Sequence, residues 1–250
     1  MKATRLDRGT LFIADAVELV TSLPDKSVDC VVMDPAYESL EKWRATGTTT
    51  RLSKSKGSSN EWFETFPNAR YLELFTELFR VMKGGTHLYM FCDEETRDHV
   101  CCGWSPQTKS FVDPDTFVAP LINSGFKYWK SLIWDKVHQG MGYHYRAQHE
   151  FILLAEKVQG KHRKLNDLGT GDVLSVPRLK GKDYWPTEKP LPLVWKLIQQ
   201  STQPGDVVLD PFVGSGTTAL AAAVSGRKFI VGDIDPKAIE RAVARLTSKS

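Results

Sequence analysis

The sequence predicts an α/β protein built on a doubly wound, mostly parallel sheet whose strand order is rotated along the chain. Three observations predict it. Short apolar runs rich in Val, Ile and Leu alternate with helical stretches, and four of them end at an acid, at Asp15, Asp34, Asp210 and Asp233. A glycine-rich turn, Gly214-Ser215-Gly216, joins one of these strands to a helix. Such a turn normally opens a nucleotide-binding sheet, yet here only one further strand and one further helix follow the helix it opens. The strands that should stand third and fourth must then come from the N-terminus, from residues 11–14 and 28–33. The four acids would meet at one sheet edge, outside the carboxyl ends, where open α/β sheets bind ligands.

Taken in order, residues 11–14 form a strand and 17–21 a short helix. Pro24-Asp25-Lys26-Ser27 turns the chain into the next strand. Residues 28–33 are an unbroken apolar, β-branched run but for Asp29, as a strand buried on both faces requires. Pro35 then takes the chain out of the sheet, because it has no N–H for a ladder. Residues 38–62 are polar, small and basic without helix or strand period, a long loop directly after Asp34. Tyr71, Leu74, Phe75, Leu78 and Met82 recur at three- and four-residue steps, which predicts an amphipathic helix over 68–82 closed by Gly84-Gly85. A strand follows at 86–92, a loop at 93–115, a helix at 115–124, and strands at 128–134 and 149–155. Residues 156–186 read as a basic loop. Pro190 opens a helix reaching about residue 200, and 206–209 is a strand. After the glycine turn come an alanine-rich helix stopped by Ser225-Gly226, a strand at 228–231, and a last helix with Asp235 as cap and Pro236 in first position. The count is about seven strands.

Bulk properties narrow the classes. A chain of 250 residues, 41% of them hydrophobic, holds one core of ordinary size. No apolar run is long enough to span a bilayer, and the first residues lack a signal-peptide core, so a cytoplasmic protein is expected. Cys30, Cys92, Cys101 and Cys102 have no metal-ligand spacing and read as reduced thiols, and no metal is expected. A net charge of +3 permits a nucleic-acid partner without requiring one.

The turn Asp210-Pro211-Phe212-Val213-Gly214-Ser215-Gly216-Thr217-Thr218 lets backbone approach a ligand and offers helix N–H groups to an anion. It lacks the lysine of a P-loop, which argues against a nucleoside triphosphate. Asp233, at the end of the next strand, stands where a ribose diol is bound in nucleotide-binding sheets.

Together these residues resemble the amino-group DNA methyltransferases of the β arrangement. In that family a catalytic Asp-Pro-Pro-Tyr comes first and an Asp-Pro-Phe-x-Gly-Ser-Gly-Thr-Thr motif for S-adenosylmethionine comes last. Here they are Asp34-Pro35-Ala36-Tyr37 and Asp210 to Thr218. Thr187-Glu188-Lys189-Pro190 is a further family element, and residues 146–157 resemble the strand after the family's catalytic loop. The one departure is Ala36 in place of the second proline.

The resemblance implies a circularly permuted Rossmann-like methyltransferase fold with about seven strands in one mixed sheet. It implies a single catalytic domain over residues 1–250, with DNA-contacting insertions at about 38–62 and 136–186. Asp34, the Pro35 carbonyl and Tyr37 would serve the target base. Asp233 would hold the cofactor ribose, Asp15 the adenine edge, and Gly214, Gly216 and Thr217 the methionine end. Asp210, Pro211, Phe212, Ser215 and Thr218 complete that turn, with Thr187 beside it and Lys189 meeting the methionine carboxylate. Lys42, Arg44, Arg51, Lys54 and Lys56 of the first insertion would grip phosphates. His144 and Arg146 of the second are DNA-contact candidates, with His138 and His162 also weighed as base readers. The expected reaction is methyl transfer from S-adenosylmethionine to adenine N6 in a flipped-out base of duplex DNA, with cytosine N4 as the alternative. Asp rather than Ser at position 34 favours adenine by family likeness. An NAD-linked oxidoreductase would leave Asp34 to Tyr37 without a role, and a DNA-binding module without catalysis would leave the cofactor turn without one. A bacterial or phage source, nucleoid association, a homodimer and a cognate restriction endonuclease are expectations of the same family kind.

Overall fold

A computed structural model describes residues 1–40, 64–102, 104–105, 110–111, 119–140, 144–180 and 187–248. Strands β1 (Lys2–Leu6) and β2 (Gly9–Ile13) form an N-terminal hairpin. Helix α1 (Ala16–Thr21) leads to β3 (Val28–Met33). Helix α2 (Tyr71–Val81), β4 (Met82–Cys92) and helix α3 (Glu94–Cys102) come next. A two-stranded pair, β5 (Trp104–Ser105) and β6 (Ser110–Phe111), and helix α4 (Pro120–Asn123) precede β7 (Lys127–Asp135), β8 (His149–Glu156) and β9 (Val173–Ser175). Helix α5 (Leu191–Ser201), β10 (Val207–Asp210), α6 (Thr217–Val224), β11 (Lys228–Asp233) and α7 (Pro236–Thr247) complete the chain.

The main sheet runs β1-β2-β11-β10-β3-β4-β8-β7-β9. From β2 to β4 every pairing is parallel, and β8 runs antiparallel to both its neighbours. The N-terminal strand β2 does fill the third place beside β11, and β3 the fourth beside β10, as the rotated order requires. Register fixes where the strands stop. Leu209 lies opposite Val31, and Asp233 opposite Ile13, so Asp15, Asp34, Asp210 and Asp233 all emerge at one edge.

Side-chain alternation divides the core. Val31 and Met33 of β3 face one apolar layer with α1, α2 and α4. Cys30 and Val32 face the other, with α5, α6 and α7. A strand buried on both faces has no polar side to show, which is why β3 reads as a continuous apolar run. Its one acid, Asp29, is buried and held by Lys83, Arg163 and the Val207 amide.

Several expected boundaries move. The main sheet has nine strands where about seven were expected. The extra two are the edge strands β1 and β9, which are short and mostly exposed and so carry little apolar pattern. Gly84 and Gly85 lie inside β4 and do not stop α2; a Cβ on Gly84 would lie 1.8 Å from the Gln159 carbonyl oxygen, so close backbone approach explains the pair. The stretch after β4 is helix α3 and not loop, because Asp93 caps it through the Thr96 amide at 2.9 Å. The helix expected from residue 115 is, among the described residues, only Pro120–Asn123.

The four cysteines are free thiols, and no cluster of three His, Cys, Asp or Glu able to hold a metal occurs among the described residues. No helix among them is long and apolar enough to cross a membrane.

Candidate active site

The crevice is bounded by two turns at neighbouring strand ends. After β3, Asp34 leaves the sheet with a carboxylate about one-quarter exposed. The Tyr37 hydroxyl donates to Asp34 Oδ1 at 3.0 Å. The turn is fixed from below: the Phe66 amide donates to the Ala36 carbonyl at 2.8 Å, and Tyr37 bridges to Phe66. Backbone pairing thus supplies part of the rigidity a second proline would give. Among the described residues nothing donates to the Pro35 carbonyl. Tyr37 is buried against the first core layer, and its hydroxyl holds the orientation of Asp34.

Asp34 Oδ2 pairs with Lys189 Nζ. That ammonium is 9% exposed, lies 5.0 Å from the Phe91 ring centroid, and stands 3.5 Å from Glu150 Oε2. Lys136 Nζ closes the row on Glu150 Oε1 at 2.6 Å. Burial pushes the Asp34 carboxyl up from its ordinary value, against the pull of Lys189. Burial also works against the charges of Glu150 and Lys189, but their partners prevail, holding Glu150 down and Lys189 up. The structure places Lys189 beside Asp34 and Glu150. Lys136 carries no local sequence signal, and Glu150 lies in the family-like stretch 146–157 with no role assigned to it; the two meet because β7 ends and β8 begins at the same edge, with Asp135 opposite His149.

The second turn lies between β10 and α6. Gly214 and Gly216 have φ of +49° and +87°, which bends the chain tightly into the helix. Among the described residues no side chain caps α6, which leaves its first N–H groups without a side-chain acceptor there. Asp233 accepts the Gly214 and Asp235 amides, each at 2.9 Å, and burial pushes its carboxyl up. The Ser215 and Thr217 side chains turn away: Arg245 Nη1 donates to Ser215 Oγ at 3.1 Å and Thr217 Oγ1 at 3.2 Å. What these two offer a ligand is backbone. Arg245 also pairs with Glu188 at 3.1 Å, which ties the Thr187-to-Pro190 element to the last helix. Phe212 packs edge-on against Phe66, 5.2 Å between centroids, and so joins the two turns.

Asp15 caps α1 through the Val17 and Glu18 amides and receives both Nη atoms of Arg70, at 2.7 and 2.8 Å. The Arg70 hydrogen bonds hold its carboxyl below the usual range. Arg70 gave no sequence signal. Thr187 sits at φ +65°, an uncommon conformation for threonine. His144, Tyr145 and Arg146 are exposed in the link between β7 and β8, with Tyr145 at 93%. His162 binds Glu156 near the far end of β8. Lys42, Arg44, Arg51, Lys54 and Lys56 lie outside the described residues. A cavity of about 640 Å³, lined by Leu132, Leu154, Leu174, Leu197 and Glu156, lies elsewhere under α5 and is touched by none of the four strand-end acids.

The site thus joins a partly exposed carboxylate at Asp34, the start of α6 without a side-chain cap, and the buried Asp233 carboxyl. DNA adenine methyltransferase YhdJ of Escherichia coli (strain K12) is 27% identical over 260 aligned positions, covering 95% of this chain and 82% of that protein. The M1.HpyAVI–SAM complex superposes with a TM-score of 0.64 at 24% identity, covering 94% of this chain and 98% of that one. The cytosine-N4-specific PvuII DNA methyltransferase superposes with a TM-score of 0.66 at 16% identity, covering 98% and 89%. Residues 28–244 match the N6/N4 DNA methylase family, and the chain belongs to that family.

Proposed function

We propose that this chain transfers a methyl group from S-adenosylmethionine to the N6 amino group of adenine flipped out of duplex DNA. The observation that carries the reading is Asp34: a carboxylate at the strand edge, oriented by Tyr37 and faced by Lys189, beside an uncapped helix terminus. The residues present suit the cofactor. The α6 N-terminus would take its carboxylate, Asp233 its ribose diol, and Asp15 the adenine edge. The turn from Asp210 and Pro211 to Thr218 would shape that pocket through backbone. S-adenosylmethionine supplies an electrophilic methyl on sulfonium, so the protein's work lies with the nucleophile.

An exocyclic amino group has its lone pair delocalised into the ring. Asp34 and the Pro35 carbonyl would accept its two N–H groups, drawing the nitrogen toward tetrahedral geometry where charge develops. Orientation by the rigid turn would supply much of the remainder. The amino group is out of reach inside a duplex, hence the flipped base. The insertions at about 38–62 and 136–186 would carry DNA contacts, through Lys42, Arg44, Arg51, Lys54, Lys56, His144 and Arg146. Neutralising the five basic residues of the first insertion should reduce the slope of log affinity against log salt by about 0.9 for each phosphate that is no longer neutralised; an unchanged slope removes that loop from the interface.

Asp at position 34 and the likeness to YhdJ support adenine. The likeness to a cytosine-N4-specific enzyme keeps cytosine N4 as the second reading. Labelled methyl should pass from S-adenosylmethionine into unmethylated genomic DNA and return as N6-methyladenine on digestion. N4-methylcytosine instead would select the second reading. No label in DNA, with cofactor still bound, would overturn the DNA reaction.

A further inference from the structure

Both oxygens of Asp34 are already engaged, Oδ1 by the Tyr37 hydroxyl and Oδ2 by Lys189. An incoming amino group needs one of them. Beside the same ammonium is an acceptor that makes no well-formed hydrogen bond among the described residues: Glu150 Oε2 is buried, and Lys189 Nζ stands 3.5 Å from it as an ion pair. The Phe91 and Trp134 rings, 5.0 and 6.0 Å from Lys189 Nζ, provide an aromatic wall along which a cation is stabilised. Asp34, Lys189, Glu150 and Lys136 alternate in sign, so the ammonium can change partner without leaving net charge buried.

Building on the methyl-transfer reading, we propose that Lys189 is a two-position cation, resting on Asp34 and moving to Glu150 Oε2 when the target amino group takes Asp34 Oδ2. Glu150 is then a positioning residue: it touches neither base nor cofactor, and acts by receiving Lys189. The idle contact keeps the carboxylate charged and aligned in the empty crevice, and the working contact frees it.

The charged and titratable groups around Asp34 are Lys189 before α5, Glu150 of β8, Tyr37 of its own turn and Asp210 of β10, with Lys136 acting through Glu150. Their signs make a test. In Glu150→Gln the ammonium has no second position and stays on Asp34. The turnover number should fall on the order of 10- to 100-fold, the size of a misplaced reacting group, with KM for DNA little changed. The acid limb of the pH–rate profile should move to lower pH, because Lys189 is undivided and a neighbouring negative charge is gone. In Lys189→Met burial and Glu150 both hold the proton on Asp34, and the acid limb should move to higher pH. Glu150→Asp keeps the charge and should recover part of the turnover.

A merely structural role for Glu150 would lower the melting temperature of Glu150→Gln and move the acid limb through the lost charge, but would leave the turnover of the folded variant near wild type. Wild-type turnover in Glu150→Gln, or displacement of the limb in the same direction in Glu150→Gln and Lys189→Met, overturns the proposal. If Glu150→Gln does not fold, Glu150→Asp against Lys189→Met still decides it, since the limb should move only in the second. Absence of methyl transfer by the wild-type protein would instead sink the reading on which the proposal rests.

Discussion

Two Asp-Pro turns leave neighbouring parallel strands at the same sheet edge, and they have opposite characters. Asp210 is 3% exposed and closed on its own loop, accepting the Phe212 amide at 2.9 Å and a hydrogen bond from Thr218. Asp34 is one-quarter exposed, and its decisive partners, Lys189 and Glu150, lie more than a hundred residues away in sequence. Identical dipeptides at nearly the same register become a closed clasp in one place and a partly exposed, ion-paired carboxylate in the other. The difference is made by what the rest of the fold brings to each carboxylate.

The sharpest way to break this contrast is to remove each carboxylate in turn. Asp34→Ala should leave the fold and cofactor affinity intact while methyl transfer falls on the order of 10²–10³-fold or more, as when a pre-placed charge-stabilising group is lost. Full transfer by this variant would end the catalytic assignment. Asp210→Asn should act on stability. Burial lifts the Asp210 carboxyl from 3.8 to about 7. The folded chain therefore keeps a proton that the unfolded chain releases above about pH 4. Its contribution is greatest below pH 4 and declines as pH rises to 7, by an upper limit of about 4 kcal/mol. Asparagine cannot ionise, so the variant's urea-unfolding free energy should gain on the wild type across that window. Parallel curves from pH 4 to 8 would show that Asp210 is not held protonated.

The fold was legible in the sequence wherever the pattern was local. Strand β3 and the Asp235 cap of α7 stand where periodicity and cap residues put them. The rotated strand order was legible too, because a glycine turn this late in the chain leaves no other source for its neighbours. Partners set by tertiary approach were not legible. Arg245 gripping the Ser215 backbone, Arg70 on Asp15, and Lys136 and Glu150 at one strand end depend on register between elements far apart in sequence. Lys189 shows the same limit: its motif announced a role at the site, while its place beside Asp34 depends on how the segment before α5 meets the end of β3.

Within the second turn the two glycines sharpen the division between holding a loop and meeting a ligand. A Cβ on Gly216 would lie 2.7 Å from the Ala242 Cβ, at φ +87°. Gly216→Ala should lose roughly 2–4 kcal/mol in denaturant unfolding, from left-handed strain and overpacking together. A Cβ on Gly214 meets only the Phe212 carbonyl, at 4.0 Å. Gly214→Ala should cost about 1 kcal/mol in stability, with weaker cofactor binding in calorimetry as its main effect. An unchanged cofactor Kd in Gly214→Ala would mean that the open side of Gly214 faces no ligand.

The smallest effect tests whether Asp15 belongs with the clasp or with the ligand-facing acids. Its carboxylate already caps α1 and takes both Nη atoms of Arg70, in a pair about one-third exposed. At that exposure Arg70→Ala should cost no more than about 1 kcal/mol. The Arg70 hydrogen bonds hold Asp15 low, so this stabilisation is present above pH 3.8 and is lost as pH falls through the folded value. The variant should therefore differ from wild type at neutral pH and converge with it in acid. If Asp15 also receives the adenine edge of the cofactor, the loss of Arg70 frees its orientation, and the cofactor Kd should rise a few-fold, within the ~1 kcal/mol of one exposed pair. An unchanged Kd alongside the stability loss would make Asp15 a second clasp like Asp210, and would leave Asp233 as the one strand-end acid facing the cofactor.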